Sequence, residues 1–387
     1  MQKIPYSRQN ISNSDISSVI KVLKSNFLTQ GPMIKKFEDK ISKTVGNKYC
    51  VSANSATSAL HISCLALGFK KNDILWTVPN TFVASSNCAL LCGGKVDFVD
   101  INPITYNIDV GILEKKLIKA KKINKLPKIV VPVHFSGQPT EQDKIHKLSK
   151  KYGFKIIEDA SHSLGATYKG EKIGSCKWSD ITVFSFHPVK IITTIEGGAA
   201  LTKNKKIYEK LKLFKNHGIT KQKKYFLNNK NTEGWFYEQQ VLGLNYRMSD
   251  ISATLGISQL KRLKKFIIER NKIAKYYNKN INKNFFITPS ILSNAKSSYH
   301  LYVIRLKKNL ISKREMFYNY LKKNKIDVNV HYIPVHLHPY YKKLGFKKND
   351  FINSENYANS VISIPIFPGL KKKYLKFIVS KINNFFN

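Results

Sequence analysis

Short apolar runs alternate with amphipathic stretches through the first 250 residues of the chain. The runs are rich in β-branched residues, as buried strands are, and the stretches between them repeat apolar residues at the three- and four-residue spacing of helices. Strands that alternate with helices form a mainly parallel sheet with helices on both faces. The predicted strands include residues 73–79, 95–100, 128–135, 155–159 and 180–186.

The pattern changes after residue 250. A long helical pattern covers residues 249 to about 277, with apolar residues along one side. A smaller alternating set follows, with a strand at 301–306, a helix at 313–323, a strand at 328–333 and a closing helix from 371. We therefore predict an α/β protein of two domains. The large domain spans residues 1–250, and residues 251–387 form a linking helix and a small C-terminal α/β domain.

The chain is strongly basic, with 66 lysines and arginines against 24 aspartates and glutamates and a formal charge of +42. Nucleic-acid surfaces favour arginine, because its guanidinium contacts phosphates and bases with two hydrogen bonds. Nearly all of the basic residues here are lysines, and they are scattered along the whole chain. We interpret the charge as a solvated lysine coat and expect no nucleic-acid partner.

No apolar run approaches the roughly 18 residues of a membrane span, and the first residues lack the apolar stretch of a secretory signal. We therefore expect a cytoplasmic protein without a membrane partner. The five cysteines form no Cys-x-x-Cys pair and no metal-ligand pattern. Their odd number suits a reducing compartment and predicts core packing, with no metal site.

Two residues that suit pyridoxal phosphate follow predicted strands. This cofactor needs an amine for covalent attachment and a carboxylate that keeps its ring nitrogen protonated. Lys190 follows strand 180–186, and Asp159 ends strand 155–159, where open α/β sheets bind their ligands. His162 lies three residues further and could reach the same ligand. Taken singly, a surface lysine, a helix-capping aspartate and a packed histidine would be simpler explanations.

Groups that suit the rest of the cofactor occur in three other segments. Small residues at 54–60 open a predicted helix whose free N–H groups could bind the phosphate, beside Thr57 and Ser58. Ser185 precedes the lysine loop and could donate its hydroxyl to the same phosphate. Phe82 opens another helix and could cover the cofactor ring, although core packing explains it almost as well.

With these positions the chain resembles the DegT/DnrJ/StrS family of sugar aminotransferases, a branch of the fold-type I pyridoxal phosphate enzymes. The resemblance runs from about Tyr6 to the C-terminus. It is most specific at residues 54–60, 158–162, 184–198, 243–248 and 331–336. It implies a homodimer that builds two active sites at the subunit interface.

The resemblance also implies roles for individual residues. In the family, the lysine matching Lys190 is the catalytic residue and bonds to pyridoxal 5'-phosphate, and the aspartate matching Asp159 pairs with the ring nitrogen. Groups matching Thr57 and Ser185 hold the phosphate. An asparagine matching Asn245 reaches the same phosphate from the partner subunit.

Within the family, the chain is most similar to enzymes of pseudaminic acid biosynthesis. These enzymes transfer the amino group of L-glutamate to C4 of a UDP-linked 4-keto-6-deoxy-N-acetylhexosamine. The similarity rests on residues 28–31, 214–218 and 330–332. In those relatives the substrate is met by residues matching Tyr6, Asn26, Phe27, Leu28, Thr29, Ala56, Asn329, Val330, His331 and Tyr332.

Other functions stay open at this point. The chain could aminate C4 of the D-xylo epimer, as bacillosamine- and legionaminic-type enzymes do, or a C3 or C4 ketone of another nucleotide-sugar. The dehydratase branch of the family carries histidine in place of the lysine, so Lys190 argues against it. A non-catalytic relative would not need Lys190, Asp159 and Ser185 together.

Overall fold

The computed structural model describes residues 2–227 and 233–386. Its helices are α1 Asn13–Leu23, α2 Pro32–Val45, α3 Ala56–Ala66, α4 Ala84–Leu91, α5 Val110–Lys122, α6 Gln142–Tyr152, α7 Lys205–Lys215, α8 Asp250–Leu260, α9 Leu263–Asn280, α10 Arg314–Lys323, α11 Pro339–Lys343, α12 Ile352–Ser360 and α13 Lys372–Asn383. Its strands are β1 Tyr49–Ala53, β2 Ile74–Thr77, β3 Lys95–Phe98, β4 Ile129–Val130, β5 Lys155–Asp159, β6 Thr167–Tyr168, β7 Glu171–Lys172, β8 Ile181–Ser185, β9 Gly198–Thr202, β10 Ile219–Thr220, β11 Glu238–Gln239, β12 Phe286–Ile287, β13 Ala295–Lys296, β14 Tyr302–Leu306 and β15 Val361–Ile364.

The central sheet has seven strands in the order β1-β9-β8-β5-β4-β2-β3. The five strands from β8 to β3 pair in parallel, and β9 lies antiparallel to both β1 and β8. The predicted mainly parallel sheet is therefore confirmed. In the register of β5 and β8, Asp159 lies beside Val183, so both strands end at the same edge of the sheet.

Helices cover both faces of this sheet, which explains why strands inside it such as β8 and β9 are buried without alternation, whereas β3 at its edge alternates. Successive residues of a strand point to opposite faces, and Ile156 and Ile157 of β5 accordingly belong to different cores. Ile157 packs with α3, α4 and α7, whereas Ile156 packs with α5 and α6. Both side chains are at most 2% exposed.

A second, antiparallel sheet of β12, β14 and β15 lies in the C-terminal part of the chain. Its core contains buried residues of α9, α10 and α13, and Ile4 near the N-terminus joins it. Val335, Tyr341 and Tyr357 instead pack in two of the cores that contain residues of the central sheet. The domain boundary between residues 250 and 251 stays a prediction.

Three predicted elements differ from the structure. The helical pattern from 249 divides into α8 and α9, and Arg262 between them is hydrogen-bonded to Asn10 and paired with buried Asp15. The strand predicted at 128–135 shortens to β4, since Pro132 has no N–H for the ladder. Residues 328–333 form only an isolated bridge, from Asn329 to Ser363.

Within the two described ranges, none of the helices has the length and apolarity that crossing a bilayer requires.

Candidate active site

A cavity of about 480 Å³ opens at the sheet edge where β5 and β8 end. The predicted residues that line it are Tyr6, Ala56, Thr57, Phe82, Asp159, His162, Ser185, Lys190, Asn329, Val330, His331 and Tyr332. A larger groove of about 720 Å³ lies between α2, α7 and residues 216–222. That groove contains neither Lys190 nor Asp159, so we place the chemistry in the smaller cavity.

Lys190 follows β8 in a turn, where its backbone N–H donates to the carbonyl of His187 over 2.9 Å. Loss of water around the amine lowers the pKa of Lys190 to about 8, and attraction by Asp159 acts in the opposite direction. At pH 7 about one amine in ten is then neutral, against roughly one in three thousand for an ordinary lysine. The neutral amine is the form that attacks an aldehyde.

Asp159 is a buried carboxylate whose oxygens accept two hydrogen bonds. The Ser85 hydroxyl donates to Oδ2 over 2.6 Å, and the backbone N–H of Ser161 donates to Oδ1 over 3.1 Å. In the described part of the chain, no lysine, arginine or histidine forms an ion pair with it. A buried carboxylate is stabilised by a cationic partner. The protonated ring nitrogen of pyridoxal phosphate fits that requirement.

The N-terminus of α3 provides a site for the phosphate. Ser55 caps the helix and accepts the N–H of Ser58, whereas the first N–H groups, at Ala56 and Thr57, have no intrahelical partner. Gly198 at the start of β9 permits this close approach, because a Cβ there would lie 2.5 Å from the Ala56 nitrogen. An anion at this helix end fits both the free donors and the helix dipole.

Aromatic and histidine side chains form the other walls. Phe82 is 59% exposed and faces the cavity, with its ring centroid 6.4 Å from that of Tyr332. The Tyr332 hydroxyl lies 3.2 Å from His162 Nε2. His331 Nδ1 lies 2.8 Å from the hydroxyl of Ser363, and burial together with the Lys190 charge lowers the pKa of His331 to about 3. His331 is therefore neutral at physiological pH.

Several predicted site residues lie outside this cavity. Ser58 is buried and donates its hydroxyl to Asn54 over 2.6 Å, so the local helix cap occupies it. Asn245 is exposed and pairs with Asn216 in an isolated bridge. The predicted substrate segment Asn26, Phe27, Leu28 and Thr29 is exposed as well. Their roles stay predictions.

Three residues without any sequence signal also contribute. Ser85 contacts Asp159 from within the apolar helix α4, and His300, 2% exposed, places its ring centroid 4.4 Å from that of His162. Ser136 donates its backbone N–H to His162. Nothing in their local sequence distinguishes them, because the fold brings them to the site from other segments.

The chain matches the DegT/DnrJ/EryC1/StrS aminotransferase family over residues 9–383. It is 41% identical over 376 residues to a UDP-4-amino-4,6-dideoxy-N-acetyl-beta-L-altrosamine transaminase of Campylobacter jejuni, covering 97% of this chain and 95% of that one. It is also 42% identical over 375 residues to an uncharacterized protein of Methanocaldococcus jannaschii, covering 94% and 93% of the two chains.

Solved structures agree with these relatives. Helicobacter pylori PseC, an aminotransferase involved in the biosynthesis of pseudoaminic acid, superposes with a TM-score of 0.89 at 31% identity, covering 98% of both chains. The PLP-form of the putative sugar aminotransferase Spr1654 of Streptococcus pneumoniae has a TM-score of 0.88 at 27% identity, covering 99% and 98%. The chain therefore belongs to the DegT/DnrJ/EryC1/StrS aminotransferase family and is a pyridoxal phosphate-dependent aminotransferase.

Proposed function

We propose that this enzyme transfers the amino group of L-glutamate to C4 of a UDP-linked 4-keto-6-deoxy-N-acetylhexosamine. The product would be UDP-4-amino-4,6-dideoxy-N-acetyl-β-L-altrosamine, a precursor of pseudaminic acid. The observation that carries this proposal is the 41% identity, over nearly the whole chain, to the Campylobacter transaminase of that name. A Helicobacter pylori enzyme of the same name is 33% identical over 388 residues.

The cavity residues divide the work of holding the cofactor. Lys190 would attach it covalently, Asp159 would pair with its ring nitrogen, and Phe82 would cover the ring. Thr57, Ser185 and the N-terminus of α3 would bind the phosphate. Once bound, pyridoxal phosphate supplies an electron sink for the charge left when a proton leaves the amine-bearing carbon.

Lys190 is suited to move that proton. With a pKa of about 8, its amine can accept a proton when neutral and return it when charged, near physiological pH. The neutral His331 and the hydroxyls of Tyr6 and Tyr332 line the same cavity and offer hydrogen bonds to uncharged sugar oxygens. We assign the sugar substrate to the part of the cavity lined by Tyr6, His331 and Tyr332.

We also propose a homodimer in which the partner subunit completes each site. Asn245 is exposed and lies outside the cavity of its own chain. Exposed apolar side chains occur close to Asn245 in the sequence and in residues 26–29, which are predicted to contact the substrate. Phe27, Leu28 and Leu242 are 54%, 47% and 86% exposed, which favours a covered surface. Mixed dimers of Lys190→Ala and Asn245→Ala chains should regain activity that neither homodimer has.

The substrate is tested by product analysis. The enzyme receives pyridoxal phosphate, L-glutamate and, in separate tubes, the two C5-epimeric UDP-4-keto-6-deoxy-N-acetylhexosamines, and mass spectrometry and NMR identify the products. We expect amination of the L-arabino epimer and none with the Lys190→Ala control. Preference for the D-xylo epimer would refute the substrate assignment and leave the aminotransferase assignment unchanged.

A further inference from the structure

His162 forms the back of the cavity, and both of its ring nitrogens have partners. The backbone N–H of Ser136 donates to Nδ1 over 3.2 Å, and Nε2 lies 3.2 Å from the Tyr332 hydroxyl oxygen. A backbone N–H can only donate, so Nδ1 carries a lone pair. Burial, and then the charge of Lys190, hold the pKa of His162 well below its usual value. The ring is therefore neutral, with its one proton on Nε2.

This tautomer decides how Tyr332 can hydrogen-bond. Because Nε2 donates, the Tyr332 oxygen accepts from His162, and its own hydrogen must be directed to another acceptor. Among the described residues that hydroxyl has no other hydrogen-bond partner, and the side chain lines the cavity. Burial, reinforced by Asp159, raises the pKa of the phenol, so it keeps its proton. Tyr332 is held as a donor toward the ligand.

Ser136 achieves its contact through an unusual backbone conformation, with φ 61° and ψ 1°. Left-handed conformations are unfavourable for residues other than glycine and persist where surrounding contacts enforce them. Here the Ser136 hydroxyl donates to the carbonyl of Leu301 over 2.7 Å, and the Leu301 N–H donates to the Ser136 carbonyl over 3.3 Å. These two bonds hold the Ser136 N–H toward His162, whose ring also packs against His300.

We propose that Ser136 and His162 are positioning residues that direct the Tyr332 hydroxyl hydrogen to the ketone oxygen of the substrate, so that Tyr332 acts there only as a hydrogen-bond donor. The location fits, because Lys190, His162 and Tyr332 line the same cavity and the Tyr332 hydroxyl contacts His162. The inference rests on the proposed function for the identity of the keto-sugar. It applies equally to the 2-oxo acid formed from the amino donor, since that compound is also a ketone.

The chemical reason is the charge that a ketone oxygen gains during reaction with an amine. The nitrogen–carbon bond forms as the carbon–oxygen π bond breaks, and the electron pair moves to oxygen. A donor fixed about 3 Å from that oxygen stabilises the charge without reorganisation. Tyr332 keeps its proton and shares it in the hydrogen bond, so no other reactant is needed.

The first test measures the tautomer directly. Ring-nitrogen NMR shifts of holoenzyme containing isotope-labelled histidine distinguish protonated from unprotonated nitrogens, and the His162→Asn variant identifies the His162 signals. We expect a neutral ring with its proton on Nε2 in the wild type. Ser136→Gly keeps the N–H, and we expect it to preserve that tautomer. A proton on Nδ1, or a charged ring, would overturn the inference.

The second test measures Tyr332→Phe in the two half-reactions separately. Loaded enzyme is mixed with L-glutamate alone, and enzyme with the cofactor in its amine form is mixed with keto-sugar. Each reaction is quenched at intervals, and the released 2-oxoglutarate or amino-sugar is quantified by mass spectrometry. We expect both single turnovers to slow by roughly 100-fold, the effect of losing one fixed donor. Pyridoxal phosphate affinity should stay within about twofold, because the tyrosine hydroxyl acts on the substrate oxygen.

Tyr106→Phe is the matched control. Tyr106 belongs to the same aromatic cluster as Tyr332, to which it is linked through Tyr357 and Phe135. The substitution removes a hydroxyl from a buried residue that lies outside the cavity. We expect its half-reactions to match the wild type. An equal loss in this control would mean that Tyr332 acts only through packing.

The remaining outcomes separate this inference from the proposed substrate. If Tyr332→Phe slows only the sugar half-reaction, Tyr332 contacts another sugar oxygen and the ketone assignment is wrong. If it slows the glutamate half-reaction while neither keto-sugar is aminated, the proposed substrate is wrong and the inference is supported.

Discussion

Removing the Ser85 hydroxyl should weaken cofactor binding, although Ser85 does not line the cavity and acts only through Asp159. The side chain is fully buried in α4 and donates to Asp159 Oδ2 over 2.6 Å, while its oxygen lies 2.8 Å from the Thr81 hydroxyl. Ser85→Ala leaves that carboxylate with one hydrogen bond, from the backbone of Ser161. The carboxylate charge that attracts the cofactor ring nitrogen is then less well stabilised.

The magnitude follows from the kind of bond that is lost. A hydrogen bond to a charged group contributes about 1.5–3 kcal/mol, and each 1.4 kcal/mol is a factor of ten in a binding constant. Water can replace the missing donor while the cavity is open, and the bound cofactor excludes that water. Most of the loss therefore falls on the bound state, and we expect the pyridoxal phosphate Kd to rise by about 10- to 100-fold.

Equilibrium binding of pyridoxal phosphate to the apoenzyme, followed by absorbance, measures this change. Ser86→Ala is the matched control, since the neighbouring hydroxyl is equally buried but lies 2.6 Å from the Tyr341 hydroxyl and outside the cavity. It should lower the free energy of unfolding by about 1 kcal/mol without changing the Kd. A Kd for Ser85→Ala within twofold of the wild type, or an equal rise in the control, would show that the Ser85 hydroxyl does not support cofactor binding through Asp159.

Two further changes test the electrostatics and packing of the site. The pKa of Lys190 is about 8 in the fold against 10.5 for a free lysine, so the unfolded chain binds more protons between those values and stability rises with pH there. Denaturant titrations of the apoenzyme should show that the free energy of unfolding rises between pH 8 and 10.5, and that Lys190→Met lacks this part of the rise. An equal rise in the two proteins would contradict the lowered pKa of Lys190. Gly198→Ala places a Cβ 2.5 Å from the Ala56 nitrogen and should cost about 1–3 kcal/mol of stability and weaken cofactor binding. Calorimetry and Kd measurements compare this variant with Gly234→Ala, a control that has open space around its Cβ. Wild-type stability and Kd for Gly198→Ala would argue against the close approach of α3.

The fold was largely predictable because its strands are buried on both faces. Apolar runs such as the one before Asp159 can be recognised locally, and their alternation with helices implies a parallel sheet. The predicted strand at 328–333 was wrong because its pairing stops after Asn329. The Tyr332 N–H donates to the side chain of Asn80 over 3.3 Å, which a local pattern cannot reveal.

The candidate site was predictable where chemistry is concentrated in short motifs. Lys190 and Asp159 follow strands directly, so the sequence indicates both the residue types and their place at one sheet edge. Ser85, Ser136 and His300 act through tertiary contacts from helices and loops with ordinary sequences. Their contributions depend on distances that no local pattern encodes.

Peptide mapping of the holoenzyme tests whether Lys190 binds pyridoxal phosphate covalently. Borohydride reduces the imine bond between the cofactor and a lysine to a stable amine, so mass spectrometry of the digested holoenzyme can locate it. We expect a phosphopyridoxyl group on Lys190 and on no other lysine, and none after L-glutamate has converted the cofactor to its amine form. A modification on a different lysine, or none before glutamate is added, would contradict covalent binding by Lys190.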